Sequence, residues 1–178
     1  KNSVFINDLN RLRSDSSSKD NVGAAYANNE ATITINRTAS VTSGPNISII
    51  GGIDSYTKKN VGFGLFADNK AKINAQNNWI KVTNGATNIA SLGTAEIDLK
   101  CATVEYKGEG YALYTDSTSK TSGAIDMTSG KLILSGKAVG YVRDLNSPHT
   151  LTFSNTDLEI NSDDVIVSDL RNTGGTVT

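Results

Sequence analysis

The chain has 178 residues with 17 basic and 18 acidic side chains and a net charge of −1, so there is no cationic excess to seek a phosphate backbone, and nucleic-acid binding is not expected. Only 37% of the residues are hydrophobic, and no run approaches the roughly 18 apolar residues of a membrane span. A thin, elongated core fits that better than a broad globular one. The bias toward Asn, Thr, Ser and Gly, with Val and Ile in short groups, predicts many short strands and many turns.

In chain order, residues 1–14 offer one helical alternative, a short amphipathic turn through Phe5, Leu9 and Leu12. Residues 14–20 read as an exposed loop. Asn21-Val22-Gly23-Ala24-Ala25-Tyr26-Ala27-Asn28-Asn29 is then echoed by Asn60-Val61-Gly62-Phe63-Gly64-Leu65-Phe66-Ala67-Asp68-Asn69. Further copies follow at Gly108–Asp116 and, more loosely, at Gly136–Asp144. Each is a glycine, an apolar strand, an aromatic residue and then Asn or Asp.

With Phe5-Ile6-Asn7 and Phe153-Ser154-Asn155 included, the aromatic positions are 5, 26, 66, 114 and 153, with steps of 21, 40, 48 and 39. Taken as one, two, two and two turns, they predict an all-β, right-handed parallel β-helix, a solenoid of about eight coils of roughly 20–24 residues. Intermediate rungs are expected at Ile47–Ile50, Ile89–Leu92 and Leu132–Leu134. A second, alternating run at Ala31–Ile35, Ala71–Ala75 and Ala124–Met127 predicts a strand with one face in the core. Asn and Asp between the runs suit corners, because they tolerate left-handed backbone angles. Cys101 is the only cysteine, so no intrachain disulfide is possible, and it is expected to be a small buried hydrophobe beside Ile97, Leu99 and Val104.

The run Val61–Asp68, the run Gly108–Asp116, the Ile125-Asp126-Met127 strand and Gly136–Tyr141 together resemble passenger repeats of the large fusobacterial type V autotransporter adhesins, over residues 21 to 145. The resemblance implies a passenger that projects from the surface of a Gram-negative bacterium, held in the outer membrane by a translocator outside this fragment. Such a passenger attaches to a host cell-surface protein or glycan, or to other bacterial cells. The chain opens on Lys1-Asn2-Ser3 without a signal peptide and is expected to be one β-helix segment, 1–178, of a longer passenger, with no direct membrane insertion of its own.

Parallel β-helices also serve as polysaccharide-cleaving enzymes. Asn155-Thr156-Asp157 and Asp163-Asp164 resemble parts of a galacturonan hydrolase site, but the Gly-His-Gly and Arg-Ile-Lys elements of that site are missing. The carboxylates at 157 and 163 are also six residues apart, much less than one coil, whereas an inverting pair faces one substrate across about 6.5–9.5 Å. His149 is the only histidine, which excludes any site built on several. No Gly-Asp-Ser-Gly context marks a serine nucleophile. Gly51-Gly52-Ile53-Asp54 lacks the third glycine of a calcium β-roll, leaving Asp116 or Asp163-Asp164 as the acidic candidates for that ion.

Asn36-Arg37-Thr38 and Asn46-Ile47-Ser48 match the N-glycosylation pattern, which matters only in a eukaryotic host. Tyr56, Trp79 and Tyr106 lie beside polar runs and are candidates for exposed, partner-contacting aromatics, with Trp79 equally suited to the core. The expected function is a non-catalytic surface adhesin segment with no catalytic, metal or cofactor residues and an unknown ligand-binding face. The alternatives are a structural stalk presenting a neighbouring binding domain and, from another class, a polysaccharide-cleaving enzyme.

Overall fold

The computed structural model describes residues 3–7, 12–13, 23–37, 43–50, 52–53, 60–61, 63–83, 87–116, 124–142, 150–152, 155–160 and 176–177. Every element among them is a strand. A first pass of the chain forms β1 (Ser3–Asn7), β2 (Leu12–Arg13) and β3 (Gly23–Ala27). The second forms β4 (Thr32–Asn36), β5 (Ile47–Ile50), a small pair β6 (Gly52–Ile53) and β7 (Asn60–Val61), and then β8 (Phe63–Ala67). The third is β9 (Lys72–Asn74), β10 (Trp79–Thr83) and β11 (Thr87–Leu92). The fourth is β12 (Glu96–Asp98) with the long β13 (Thr103–Asp116), and the fifth is β14 (Ala124–Asp126) with β15 (Lys131–Val142). Then come β16 (Thr150–Thr152), β17 (Asp157–Ile160) and β18 (Thr176–Val177).

The first strand of each pass joins one seven-stranded sheet in the order β1-β4-β9-β12-β14-β16-β18. Of the remaining strands, β6 and β7 form a small sheet of their own, and the other nine form a second sheet with two wings. Its hinge is β13, whose first half pairs with β10 and whose second half pairs with β11, the register shifting between Gly108 and Tyr111. All of these pairings are parallel. Among the described strands only β6 and β7 pair antiparallel, as a hairpin within the second pass. Stacked parallel strands of this kind are compatible with the expected β-helix.

Alternation along each strand decides which side chains go inside. In the first sheet Ile33, Ile73, Ile97 and Ile125 stand in register, flanked by the less buried Thr32 and Thr34, Lys72 and Asn74, Glu96 and Asp98, and Ala124 and Asp126. These isoleucines are 9%, 1%, 1% and 1% exposed. Burying each contributes roughly 1.5–3 kcal/mol, since every one leaves water almost completely. The near wing repeats the pattern with Ile47, Ile80, Val104 and Leu132, and the far wing with Ala25, Leu65, Ile89 and Leu113. All belong to one core cluster. On the outer faces, neighbouring passes present opposite charges: Lys72 meets Glu96 at 2.6 Å and Lys131 meets Glu159 at 2.8 Å. These exposed pairs add little stability, of order 0–1 kcal/mol each, and act mainly on register.

The pairing corrects the expected period. Val4, Ile33, Ile73, Ile97, Ile125, Leu151 and Val177 are successive register partners, giving steps of 29, 40, 24, 28, 26 and 26 residues. Only one step lies within 20–24, and the described strands make six passes and the start of a seventh, fewer than eight. The reason is that the aromatic signature mixes two columns. Phe5 pairs with Thr34 in the first sheet, whereas Tyr26, Phe66, Ala90, Tyr114 and Tyr141 form a column in the far wing. The step from Tyr26 to Phe66 is therefore a single pass lengthened by the hairpin and by the segment before Asn46. Ile89–Leu92 is the rung expected between Phe66 and Tyr114. Ile47–Ile50 and Leu132–Leu134 belong to the near wing instead. Phe153 and the 14–20 loop lie outside the described residues, and Ser3–Asn7 is strand, not helix.

Candidate functional site

Two corners join the sheets, and both are built from local polar chemistry. Leaving the far wing, Asn29 and Glu30 take φ of 53° and 63°, and Asn69 and Lys70 take 49° and 64°. The turns close through Ala31 N–H to Asn28 O and Ala71 N–H to Asp68 O, both at 3.1 Å. Two positive angles in succession are those of a type I′ turn, which favours Asn and Gly. The side chains of Asn28 and Asp68 each accept the next backbone N–H at 2.7 Å, and Asn69 Nδ2 reaches Asn28 Oδ1 at 3.0 Å to tie one turn to the next. Above this corner Tyr26 stacks on Phe66 at 4.8 Å. At Tyr26-Ala27-Asn28 and Phe66-Ala67-Asp68 the aromatic-x-Asn/Asp signature is thus a stacked corner.

At the second corner, between the first sheet and the near wing, Asn77, Cys101, Ser129 and Asn155 occupy the same place on successive passes with φ of 58°, 57°, 58° and 51°. Cys101 is exposed there, which corrects the expectation that it is buried. The residues on either side of it, Leu99, Ala102 and Val104, are the ones that face the core. One residue further along, the chain turns inward. Asn46 and Asn78 are 2% and 1% exposed. Asn46 Nδ2 donates to Asn78 Oδ1 at 2.6 Å, Trp79 N–H donates to Asn46 Oδ1 at 2.7 Å, and Asn78 Nδ2 donates to Ile35 O and Gln76 O at 2.8 and 2.9 Å. Every carboxamide group in this interior ladder is used. Ala102, Gly130 and Thr156 hold the same place on later passes; a Cβ on Gly130 would lie 2.6 Å from Ala102 O.

Lys100 stands between two carboxylates of this corner, 3.7 Å from Asp98 and 3.4 Å from Asp126. Asp98, then Asp126, raise the Lys100 pKa above the usual lysine value. Partial burial disfavours the Asp126 carboxylate, but the hydroxyl and backbone N–H of Thr128, together with Lys100, outweigh it and hold its pKa below the ordinary value. This is a structural clasp that closes a turn.

The outer face of the near wing is different. A groove of about 170 Å³ lies across three passes there, lined by Lys81, Glu105, Lys107, Ile133 and Ser135. Its back wall is fixed: Trp79 Nε1 donates to Glu105 Oε1 at 2.5 Å, and Lys81 lies 3.7 Å from the same carboxylate. Lys107 has no ion-pair partner among the described residues, and Ser135 makes no side-chain hydrogen bond among them. Groove residues arise from one outward column per strand, so they are 24 to 28 residues apart in sequence. No local motif marks them.

The individual candidates fall in separate places. Trp79 is half-buried and works as a hydrogen-bond donor to Glu105. Tyr106, considered as an exposed aromatic, is instead 2% exposed in the core column between Val82 and Leu134. Asn155 is a corner residue, the Thr156 hydroxyl donates to Met127 O at 2.8 Å, and Asp157 pairs in register with Lys131. Asp163, Asp164, His149 and Tyr56 lie outside the described residues. Of the two glycosylation patterns, Asn46 has its carboxamide committed inside the molecule, while Asn36 is exposed. Among the described residues no group of three or more His, Cys, Asp or Glu side chains is placed to hold a metal ion.

Fold and groove together define an all-β protein of stacked parallel strands with a polar outer face. No family model, curated protein or solved structure matches the chain.

Proposed function

We propose that the chain is a segment of right-handed parallel β-helix from a bacterial surface adhesin, and that its outer face does the work without catalysis. Support for the winding comes from the in-register column Ile33, Ile73, Ile97 and Ile125, visited once per pass with one to four other strands between visits. Such crossovers between parallel strands are right-handed in about 98% of cases. The resemblance of Val61–Asp68 and Gly108–Asp116 to fusobacterial autotransporter passengers supports display on a Gram-negative surface, with a translocator elsewhere in the protein. Attachment is then to a host cell-surface protein or glycan, or to other bacteria.

The observation that carries an adhesive role, as against a passive stalk, is the near-wing groove with its unpaired ammonium and hydroxyl. A spacer needs no such feature. The test displays the full chain on a non-adherent cell and measures attachment to epithelial and bacterial targets. Attachment above the bare host supports the reading; failure, together with normal adhesion of a longer passenger from which residues 1–178 have been deleted, assigns the chain to a stalk.

A further inference from the structure

We infer that the near-wing groove binds a single carboxylate-bearing sugar unit, a hexuronate-type residue of a surface glycan. The inference deepens the adhesin reading and rests on it. Size comes first. About 170 Å³ is below the roughly 300–1,000 Å³ of pockets that enclose larger ligands. One sugar ring laid across the passes fits that space, whereas a helix does not.

The charges then choose the class. Lys107 and Ser135 are donors without a partner, and they sit beside each other because Lys107 and Ser135 are register partners. They suit a carboxylate, which accepts from both. Glu105 is an acceptor already oriented by Trp79 Nε1 and Lys81, and its side chain is 24% exposed. Held in this way, it can take ring hydroxyl protons with little ordering cost. Ile133, in register with Glu105, gives the apolar patch that the C–H face of a sugar ring covers.

A polyanion is disfavoured, because Glu105, two residues from Lys107 on the same strand, would repel every charge beyond the one that Lys107 meets, and the chain as a whole carries −1. An acidic peptide is disfavoured for another reason. Peptides that dock on sheets gain most of their affinity from main-chain hydrogen bonds at a free edge. Here β10, β13 and β15 are paired to each other along the groove, so no backbone groups are left to offer.

The experiment titrates the intact chain with methyl glucuronide, methyl galacturonide and neutral methyl galactoside, followed by saturation-transfer NMR and calorimetry, and runs the displayed-cell adhesion assay on the same variants. A uronide should bind, the neutral sugar should bind at least tenfold more weakly, and Lys107→Gln should weaken the uronide at least tenfold. Lys131→Gln, whose partner Glu159 is 2.8 Å away on the same face, should leave the affinity unchanged. Equal binding of the neutral sugar, indifference to Lys107→Gln, or displacement of the uronide by an acidic peptide at lower concentration would each overturn the assignment. If the displayed chain adheres but neither uronide binds, the groove assignment fails and the adhesin reading stands. If uronide binding depends on Lys107 but the chain does not adhere, the site stands and that reading fails.

Discussion

Asn78→Ala should be among the most damaging conservative changes in the molecule, more so than truncating any surface ion pair. The carboxamide donates to Ile35 O and Gln76 O and accepts from Asn46 Nδ2, all at 2.6–2.9 Å. Each net hydrogen bond is worth about 1 kcal/mol, so three give about 3 kcal/mol. Leaving Asn46 Nδ2 without its acceptor in the interior adds about 1 kcal/mol or more. With a urea m-value of about 2 kcal/mol per molar, a loss near 4 kcal/mol lowers the unfolding midpoint by about 2 M. Asn46→Ala, which removes the shared bond and the Trp79 N–H acceptor, should cost about 2–3 kcal/mol. Because the two side chains share one bond and one interior corner, the double variant should cost about 1 kcal/mol or more less than the sum of the singles. Urea unfolding followed by circular dichroism checks this. Strict additivity, or an Asn78→Ala cost below 1 kcal/mol, would refute the claim that the ladder is a closed interior unit.

Gly130→Ala should destabilise by about 1–3 kcal/mol in the same assay, because its Cβ would meet Ala102 O at 2.6 Å and Met127 O at 2.9 Å, both backbone atoms that cannot swing aside. Cys101 should react at once and stoichiometrically with a thiol reagent in the native protein. Cys101→Asn should raise stability by several tenths of a kcal/mol and Cys101→Val should lower it by about 1 kcal/mol, since Asn tolerates the left-handed φ of 57° and a β-branched residue does not. The lowered pKa of Asp126 has a definite sign in acid: its contribution is complete above the unfolded carboxylate value and disappears as pH falls through the lower folded value. Asp126→Asn should therefore reduce stability at neutral pH and flatten the acid limb of a stability–pH curve, as measured by thermal unfolding between pH 2 and 7.

Strand positions were legible because alternation acts within five residues. Thr32-Ile33-Thr34-Ile35 and Ala71-Lys72-Ile73 announce their inward faces without any tertiary knowledge, whereas the rung at Ile89–Leu92, with Ile89, Ala90 and Ser91 all buried, was placed by the spacing of the aromatic positions. The period was less legible, since insertions decouple sequence distance from spatial distance. The hairpin of β6 and β7 and the extra residues before Asn46 stretch one pass to 40 residues, and that number matches two short passes. An aromatic marker cannot tell these cases apart. The isoleucine column can, because it samples one sheet on every pass. Cys101 was misplaced for a related reason: counting apolar neighbours places it in a strand, but the period-two pattern of Ile97 and Leu99 breaks at the corner, where φ turns positive.

The groove was invisible for a deeper reason. In a stack of parallel strands, residues that touch across the outer face come from different passes, so a binding surface carries no motif, only a column. Lys81, Glu105 and Ile133 are adjacent in space at positions set by register alone, and sliding any one of their three strands by a single residue would turn that strand's member toward the core. What holds that register is the inward Val104 and Tyr106 of β13 together with the Asn46–Asn78 corner at the entry of β5 and β10, the latter being β13's neighbour. The polar interior ladder and the outer groove are thus two faces of the same constraint. A corner that fixes where each strand begins also fixes which side chains share the surface, and this allows a chain without a recognisable site motif to hold a defined one.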